Sequence, residues 1–554
     1  MSEMLRRREL LARGAATAGT LALGSTLAAC GAGTKSSSAL AGGGRSVGGG
    51  KAVSLMTFGV ENDAVSMDYT QTYDYAGLLV VSSMTEQLLR MDNAGVLHPN
   101  LATSYDTSDP HRIVFKIRPD VRFHDGSPMT AEDVAFSIGR HMDPKVASLM
   151  SFYFANVERV VATGSHEVTI FLKRPDAQLV FAMSMAVGAV TSRAFVEKHG
   201  KAFGSPGVGT MGTGPYRFVN WVKGQSLTVE RNDDYWNGAA VPRKVKTVTE
   251  HVISDETTLL TALRSGELDA QLAQVSGRGV ASLASASNIR QYHAPCGGAS
   301  ILEINVARAP WNDARVRQAL SLVIPRQGIL DSVYGGQGIL VKSITPPTTW
   351  SYARPIFASA YAALPDYTSN TGPTPSNVAR ARKLVSAAGA AGGTASVWVA
   401  TSYDGQVAEA IQAAAAQIGL HLTVNKVTQA ALAAASGARR HPYDMAISLS
   451  IPDFPDPGNL PYLAFRTNSI SNLFSYSNPE VDALLNRQIT LVNAPEERAR
   501  EITQALAIVV RDQCAPMIVS PYTVLSMSSR LGGYQLGAPQ FQWDCQLLGS
   551  ISGS

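Results

Sequence analysis

The segment "SLSIPDFPDPGNLPY", Ser448 to Tyr462, places two carboxylates, Asp453 and Asp456, among four prolines. Proline fixes φ, so the segment is a stiff loop rather than a free one. A carboxylate on such a loop can accept turn hydrogen bonds from nearby N–H groups. It can also pair with a cation withdrawn from water, which is prohibitively costly to bury unpaired. On residue type alone both Asp453 and Asp456 read as loop carboxylates that serve the turn. Tyr73 and Tyr75 in "QTYDYAGL", and Tyr403 in "ATSYDGQ", each offer an apolar face with a hydroxyl at its tip. Such rings serve equally to pack a core. No catalytic set accompanies them. There is no G-x-S-x-G elbow, His166-Glu167 lacks the second histidine of a zinc-protease motif, and the ten histidines are scattered. No catalytic signature is assembled, so the motifs do not point to an enzyme.

The compartment is read from "MSEMLRRRELLARGAATAGTLALGSTLAAC" at the start of the chain. Arg6, Arg7 and Arg8 form a basic head, and Gly14 to Ala29 is an uncharged stretch diluted by glycine and threonine. A spanning helix needs about 20 predominantly apolar residues, so this reads as a secretory leader. Arg7-Arg8 followed by Leu10-Leu11 resembles a twin-arginine export signal. Leu27-Ala28-Ala29-Cys30 resembles a bacterial lipobox, which makes Cys30 the first mature residue and the site of lipid attachment. The following "GAGTKSSSALAGGGRSVGGG" is a flexible Gly/Ser tether. It is not a phosphate loop. The spacing puts Arg45 where the first glycine belongs, and Lys51 is followed by Ala52.

The body of about 500 residues exceeds what one hydrophobic core supports, so two or three domains are expected. The chain is 45% hydrophobic and 16% charged, an ordinary globular balance. Its formal net charge of +4 drops to +2 without the leader's four arginines and two glutamates. No clustered basic face points to nucleic acid. Beyond Cys30 only Cys296, Cys514 and Cys545 remain, at spacings that fit no metal site. One disulfide or buried free thiols are both compatible with that count.

The elements that must carry these residues alternate between strand and helix. "KAVSLMT" reads as a strand, and Asp92 to Gly95 as a turn. Ile113, Phe115 and Ile117 alternate as one buried strand face. Thr130 with Asp133 three residues on is a helix start of the capping-box kind. His166 to Pro175 reads as a strand, and Gly212 to Gly238 as two strands around a turn. A helix is expected from near Asp255, with Thr258, Leu259 and Ala262 on one face. "WNDARVRQALSLVIP" has helical spacing through Val316, Ala319, Leu320 and Val323. Helices are expected to stop at Gly389 and Gly419, and another to start at Asn478-Pro479. The class is mixed α/β.

In this order, several stretches resemble the extracytoplasmic solute-binding proteins of ABC importers, family 5, the oligopeptide, dipeptide and nickel class. They are "LHPNLATSYDTSDPHRIVFKIRPDVRFHDGSPMTAEDVAFSIGRHMDP", "GTGPYRFVNW…VERNDDYWNG", "ALRSGELDA", "WNDARVRQALSLVIPRQGILDSVYGG", "ARKLVSAAG" and "YSNPEVDALL". The likeness covers most of the chain after about Leu55. It implies a two-lobe, periplasmic-binding-protein-like fold (type II, cluster C) with mixed sheets and an extra domain on the N-terminal side. The implied division is a leader at 1–29, a tether at 30–51, and a first-lobe core from 52–73, 207–297 and 521–554. The extra domain would be 74–206 and the second lobe 298–520. Closure would be a hinge motion favoured by ligand touching both lobes.

The resemblance also assigns roles. Asp453 matches the acidic position that receives a ligand's α-ammonium in peptide-binding relatives. Ser450 stands where relatives often carry an aromatic residue three positions before that acid, a departure that implies a roomier pocket. Tyr73 and Tyr75 lie where the first lobe approaches the cleft, with Tyr403 as a further ligand-binding candidate. Trp221, Trp236 and Asp125-Gly126 belong to the packing pattern. No arginine just ahead of the loop reads a ligand carboxylate. No cofactor, resident metal or enzymatic activity is implied. The expected partners are a peptide, an ABC permease and ATPase complex, and the membrane through the lipid on Cys30, with the protein itself a monomer. Rival ligands are nickel chelates, haem and oligosaccharides. The rivals from other classes are an anchored extracellular hydrolase and a ligand sensor.

Overall fold

The computed structural model describes residues 50–92, 95–241, 243–271, 277–365, 372–436, 441–533 and 551–553. The leader, Cys30, the tether up to residue 49 and Cys545 lie outside the described residues. A twelve-stranded mixed sheet runs through the body. At one end the hairpin Tyr216–Val222 and Ser226–Arg231 pairs with Val245–Val252, which is parallel to Val53–Val60. At the other end Ala299–Ile304 is antiparallel to Met445–Ser450, and Thr394–Val399 and His421–Lys426 continue in parallel.

Two passages of chain join these ends. Ile289–Pro295 leads through Cys296, Gly297 and Gly298 into Ala299–Ile304. The long strand Met517–Ser528 pairs antiparallel with both. The crossing is tight. A side chain on Gly298 would run into the Ser450 carbonyl oxygen, and Gly297 sits at φ +74°, a conformation that favours glycine. The Ser520 hydroxyl donates to the Gly298 carbonyl at 2.6 Å, and the Gly298 N–H points at the Cys296 sulfur at 3.3 Å. Cys296 and Cys514 are both buried free thiols.

A separate four-stranded antiparallel sheet is built from Ala102–Asp106, Arg112–Ile117, Glu167–Leu172 and Val157–Gly164. Its core-facing row is Ile113, Phe115 and Ile117, all buried, as the alternation predicts. The helix Ala131–Gly139 packs on it. There the Thr130 hydroxyl accepts from the Asp133 N–H while the Asp133 side chain accepts from the Thr130 N–H. The helix Glu256–Ser265 differs from expectation in its face. Thr258 is exposed and donates to the Asp255 cap, and Leu259, Leu260, Ala262 and Leu263 form the buried stripe. The helix Ala314–Val323 buries Val316, Ala319, Leu320 and Val323 as its spacing predicts, and Pro479–Gln488 begins as predicted with Asn478 as cap.

Hydrophobic burial divides the body into several cores. One spans Leu88 to Val190 and includes Phe454 from far along the chain. A second gathers residues from Val53–Val81, Tyr216–Val248 and Leu525–Leu531. Two more are built from residues between Ala299 and Val519. Among the described residues no helix is long and apolar enough to cross a membrane.

Candidate ligand-binding site

The strand Met445–Ser450 ends at the crossing, where Ser450 pairs with Ala299. The proline-rich loop then carries Asp453 against the core of residues 88–190. Its carboxylate is half-buried and accepts from two phenols. The Tyr73 hydroxyl donates to Oδ1 at 2.8 Å and Oδ2 at 3.0 Å, and the Tyr153 hydroxyl donates to Oδ2. Burial raises the Asp453 carboxyl above the usual carboxylate range, and the two phenol donors oppose that rise. The same burial, with the Asp453 charge beside them, holds both phenols well above their ordinary value. Among the described residues no Lys or Arg forms an ion pair with Asp453.

Aromatic rings cluster about the two phenols that hold this carboxylate. Phe152 meets Tyr73 edge-on at 6.1 Å and lies 4.5 Å from Tyr153. Phe454, next to Asp453, is 1% exposed, with Tyr153 at 6.0 Å and Phe181 at 6.1 Å. An anion with aromatic rings close by suits a small organic cation, because a ring's π-quadrupole and the carboxylate attract it together.

The loop is held from behind. Asp456 is buried and takes a bidentate pair from Arg498, with Nη1 to Oδ2 at 2.7 Å and Nη2 to Oδ1 at 2.8 Å. It also accepts the Gly458 N–H at 2.8 Å, so it serves the turn and anchors it to the helix Pro495–Asp512. Arg498 donates its Nε to Gln488 at 2.9 Å.

The other predicted residues are placed as follows. Tyr73 is 42% exposed as a residue, yet its hydroxyl reaches Asp453. Tyr75 opens the helix Tyr75–Met84, and its ring lies outside the described residues. Tyr403 meets Tyr334 edge-on at 4.7 Å and packs against the core of the second half of the chain. Burial, with Tyr334 beside it, holds its phenol well above the ordinary value. Asp453 takes its side-chain hydrogen bonds from Tyr73 and Tyr153, and Tyr403 and Ser450 lie apart from that set. Trp221 and Trp236 are packing residues, donating to Asp63 at 2.9 Å and to Glu86 at 2.7 Å. Asp125 caps its own turn through Ser127, with Gly126 at φ +85°. Among the described residues no group of three or more His, Cys, Asp or Glu is arranged for a metal.

Sequence reasoning missed Tyr153, Asn459 and Arg498. Asn459 lies inside the quoted loop, but an asparagine after Pro-Gly carries only a turn signal. Tyr153 lies in "SFYF", an aromatic run without periodicity, and Arg498 sits in an otherwise ordinary charged helix start.

An acid on a stiff loop from the second half of the chain meets Tyr73 and Tyr153 from the first half, and two strand passages join the halves, the arrangement of a two-lobe binding protein. The family model for bacterial extracellular solute-binding proteins, family 5, matches residues 96–472, and the chain belongs to that family. It is 27% identical over 470 residues to Heme-binding protein A of Haemophilus influenzae, covering 79% of this chain and 81% of that protein. It is 24% identical to the probable D,D-dipeptide-binding periplasmic protein DdpA of Escherichia coli, covering 87% and 91%. The periplasmic binding protein DppA of Helicobacter pylori, solved with the peptide STSA, superposes with a TM-score of 0.78. That match has 22% identity and covers 91% of this chain and 98% of that one. These relatives are binding proteins, not enzymes.

Proposed function

We propose that the protein is the capture subunit of an ABC importer, enclosing short oligopeptides between its lobes and delivering them to the permease. The observation that carries this reading is Asp453, an enclosed carboxylate on the loop that, among the described residues, is paired with hydroxyls and with no Lys or Arg. A peptide's α-ammonium supplies the missing charge and can donate to the carboxylate's remaining lone pairs. Tyr73 faces the ligand from one lobe, and Ser450 and Tyr403 line the other, with Tyr75 as a further candidate contact. The peptide held by the Helicobacter relative and the name of the Escherichia relative support this class of ligand. The name of the Haemophilus relative keeps haem as the rival.

The lobes follow the division at 52–73, 207–297 and 521–554 for the first core, 74–206 for the extra domain and 298–520 for the second. The core of residues 88–190 supports the extra domain and the cores between Ala299 and Val519 support the second lobe, while the core that holds Val53 also takes in Leu79, Val81 and Met84 from the start of the 74–206 segment. Export through a twin-arginine leader and a lipid on Cys30 would tether the monomer outside the cell membrane. Calorimetry with tri-alanine and N-acetyl-tri-alanine tests the ammonium role. Asp453→Asn should weaken the free-amino peptide by roughly tenfold or more, the scale of one charge-assisted hydrogen bond, and the acetylated one far less. Equal loss for both removes the role.

A further inference from the structure

Asp453 is not held by the phenols alone. Its backbone N–H donates to Asn459 Oδ1 at 3.0 Å, and Asn459 Nδ2 donates to the Tyr153 hydroxyl oxygen at 3.2 Å. The Tyr153 hydroxyl then donates to Asp453 Oδ2. The three residues form a closed ring in which every group has one direction open to it. The backbone N–H can only donate, so Asn459 must present Oδ1 to it and turn its NH2 toward Tyr153. With that lone pair of Tyr153 occupied, its single proton goes to the carboxylate. Asn459 is fully buried and Tyr153 is 8% exposed, so water does not compete readily for these bonds.

The ring also spans two cores. Tyr153 belongs to the core of residues 88–190, and Asn459 opens the helix Asn459–Ala464 in the second half of the chain. Leu460 and Ala464 pack in the core that contains Ala299 and Met517. Between them Phe454 crosses over and buries its ring beside Tyr153 and Phe181. Nearby, the Ala177 N–H donates to the Ile489 carbonyl at 2.7 Å, a second bond between the same two parts.

We propose that Tyr153 and Asn459 are positioning residues that latch the two halves through Asp453 and restrict the site to cations able to donate an N–H. The latch works because one residue, Asp453, both closes the ring and faces the ligand. With Tyr73 and Tyr153 on its oxygens, the carboxylate keeps lone pairs for a compact donor. A primary ammonium can use them while the ring stays closed. A quaternary ammonium has no proton to give and is wider, so it reaches the acid only by displacing a phenol. Pre-docking also lowers the reorganisation that a ligand must drive, since part of the closed contact is made by the protein itself.

The inference rests on the peptide reading for ligand choice only; the latch is tested without ligand. Dyes on exposed positions of the 102–172 sheet and of the helix Pro375–Ala387 report the separation of the two parts by single-molecule energy transfer on the full-length protein. Tyr153→Phe keeps the ring and removes only the hydroxyl. The open fraction should rise about tenfold, the scale of one hydrogen bond to a charged group, with the thermal midpoint nearly unchanged. Asn459→Ala should move the same readout in the same direction. An unchanged distance distribution in Tyr153→Phe overturns the latch. In calorimetry, wild type should prefer tri-alanine over its N-trimethyl form by at least tenfold, and Tyr153→Phe should narrow that preference. A preference left intact in Tyr153→Phe overturns the selectivity half. If the open fraction rises while neither peptide binds wild type, the latch stands and the peptide reading falls.

Discussion

Replacing Arg498 with methionine would strip Asp456 of its bidentate partner while leaving the carboxylate where it is. Both side chains are inside, Arg498 at 4% and Asp456 at 0% side-chain exposure, and the two N–H···O contacts are 2.7 and 2.8 Å. Methionine keeps the length of the arginine stem, so the loss is electrostatic rather than a cavity. A buried ion pair broken from one side typically costs about 3–5 kcal/mol, because the survivor is left charged in a poor solvent. The Gly458 N–H still reaches Asp456, which offsets a part of this. Arg498→Lys restores charge but not the fork that meets both oxygens and Gln488, so it should recover only a fraction. The double variant Arg498→Met/Asp456→Asn removes both charges and should return most of the stability, since the attraction roughly balances the desolvation of the pair. Guanidinium unfolding followed by tryptophan fluorescence measures all four proteins, with transition midpoints compared because a multi-core chain need not unfold in two states. Calorimetry on the folded single variant should also show weaker peptide binding, because Asp453 rides on the same loop. A single variant within about 1 kcal/mol of wild type, against the 3–5 expected for a broken buried pair, would refute the reasoning. So would a double variant as damaged as the single.

Two further outcomes follow from the fold. Burial pushes the Glu250 carboxyl up to about 8, with Asp63 and Asp74 adding to it, among Phe58, Leu79, Leu227 and Val248. The folded state therefore holds a proton that the unfolded chain releases near pH 4.3. This group's stabilisation is complete below that pH and is lost as pH rises through about 8. Glu250→Gln should melt higher than wild type at pH 8 to 9, by an amount of order 2 kcal/mol, with the gap closing toward pH 5; parallel melting curves across that range would contradict it. Gly298→Ala puts a methyl against the Ser450 carbonyl oxygen at the crossing. Differential scanning fluorimetry should show a lower midpoint and calorimetry a weaker ligand affinity, and wild-type values for both would show that the crossing yields freely.

Local structure was legible in the chain because its causes are local. Ile113, Phe115 and Ile117 alternate because one face of their sheet is buried. Thr130 and Asp133 cap each other across three residues, and Asn478 and Pro479 start a helix from adjacent positions. Even the failure at Thr258 is local. Its N–H and hydroxyl went to the Asp255 cap, so a residue read as core was recruited to the helix end. The resemblance built from quoted stretches reached further, to the family and to Asp453, because motif order preserves what spacing alone leaves open.

The partners of that acid belong to the tertiary structure. Tyr153 lies 300 positions from Asp453 and Tyr73 lies 380, and neither carries a periodic or capping signal toward the loop. Arg498 and Asp456 are 42 apart on elements that each read as ordinary. From the sequence alone came the elements, their order, the family and one acid on a stiff loop. Which hydroxyls, amide and guanidinium converge on that loop depends on how several hydrophobic cores dock. Docking is decided by the summed burial of residues scattered along the chain, and no window of sequence contains that sum.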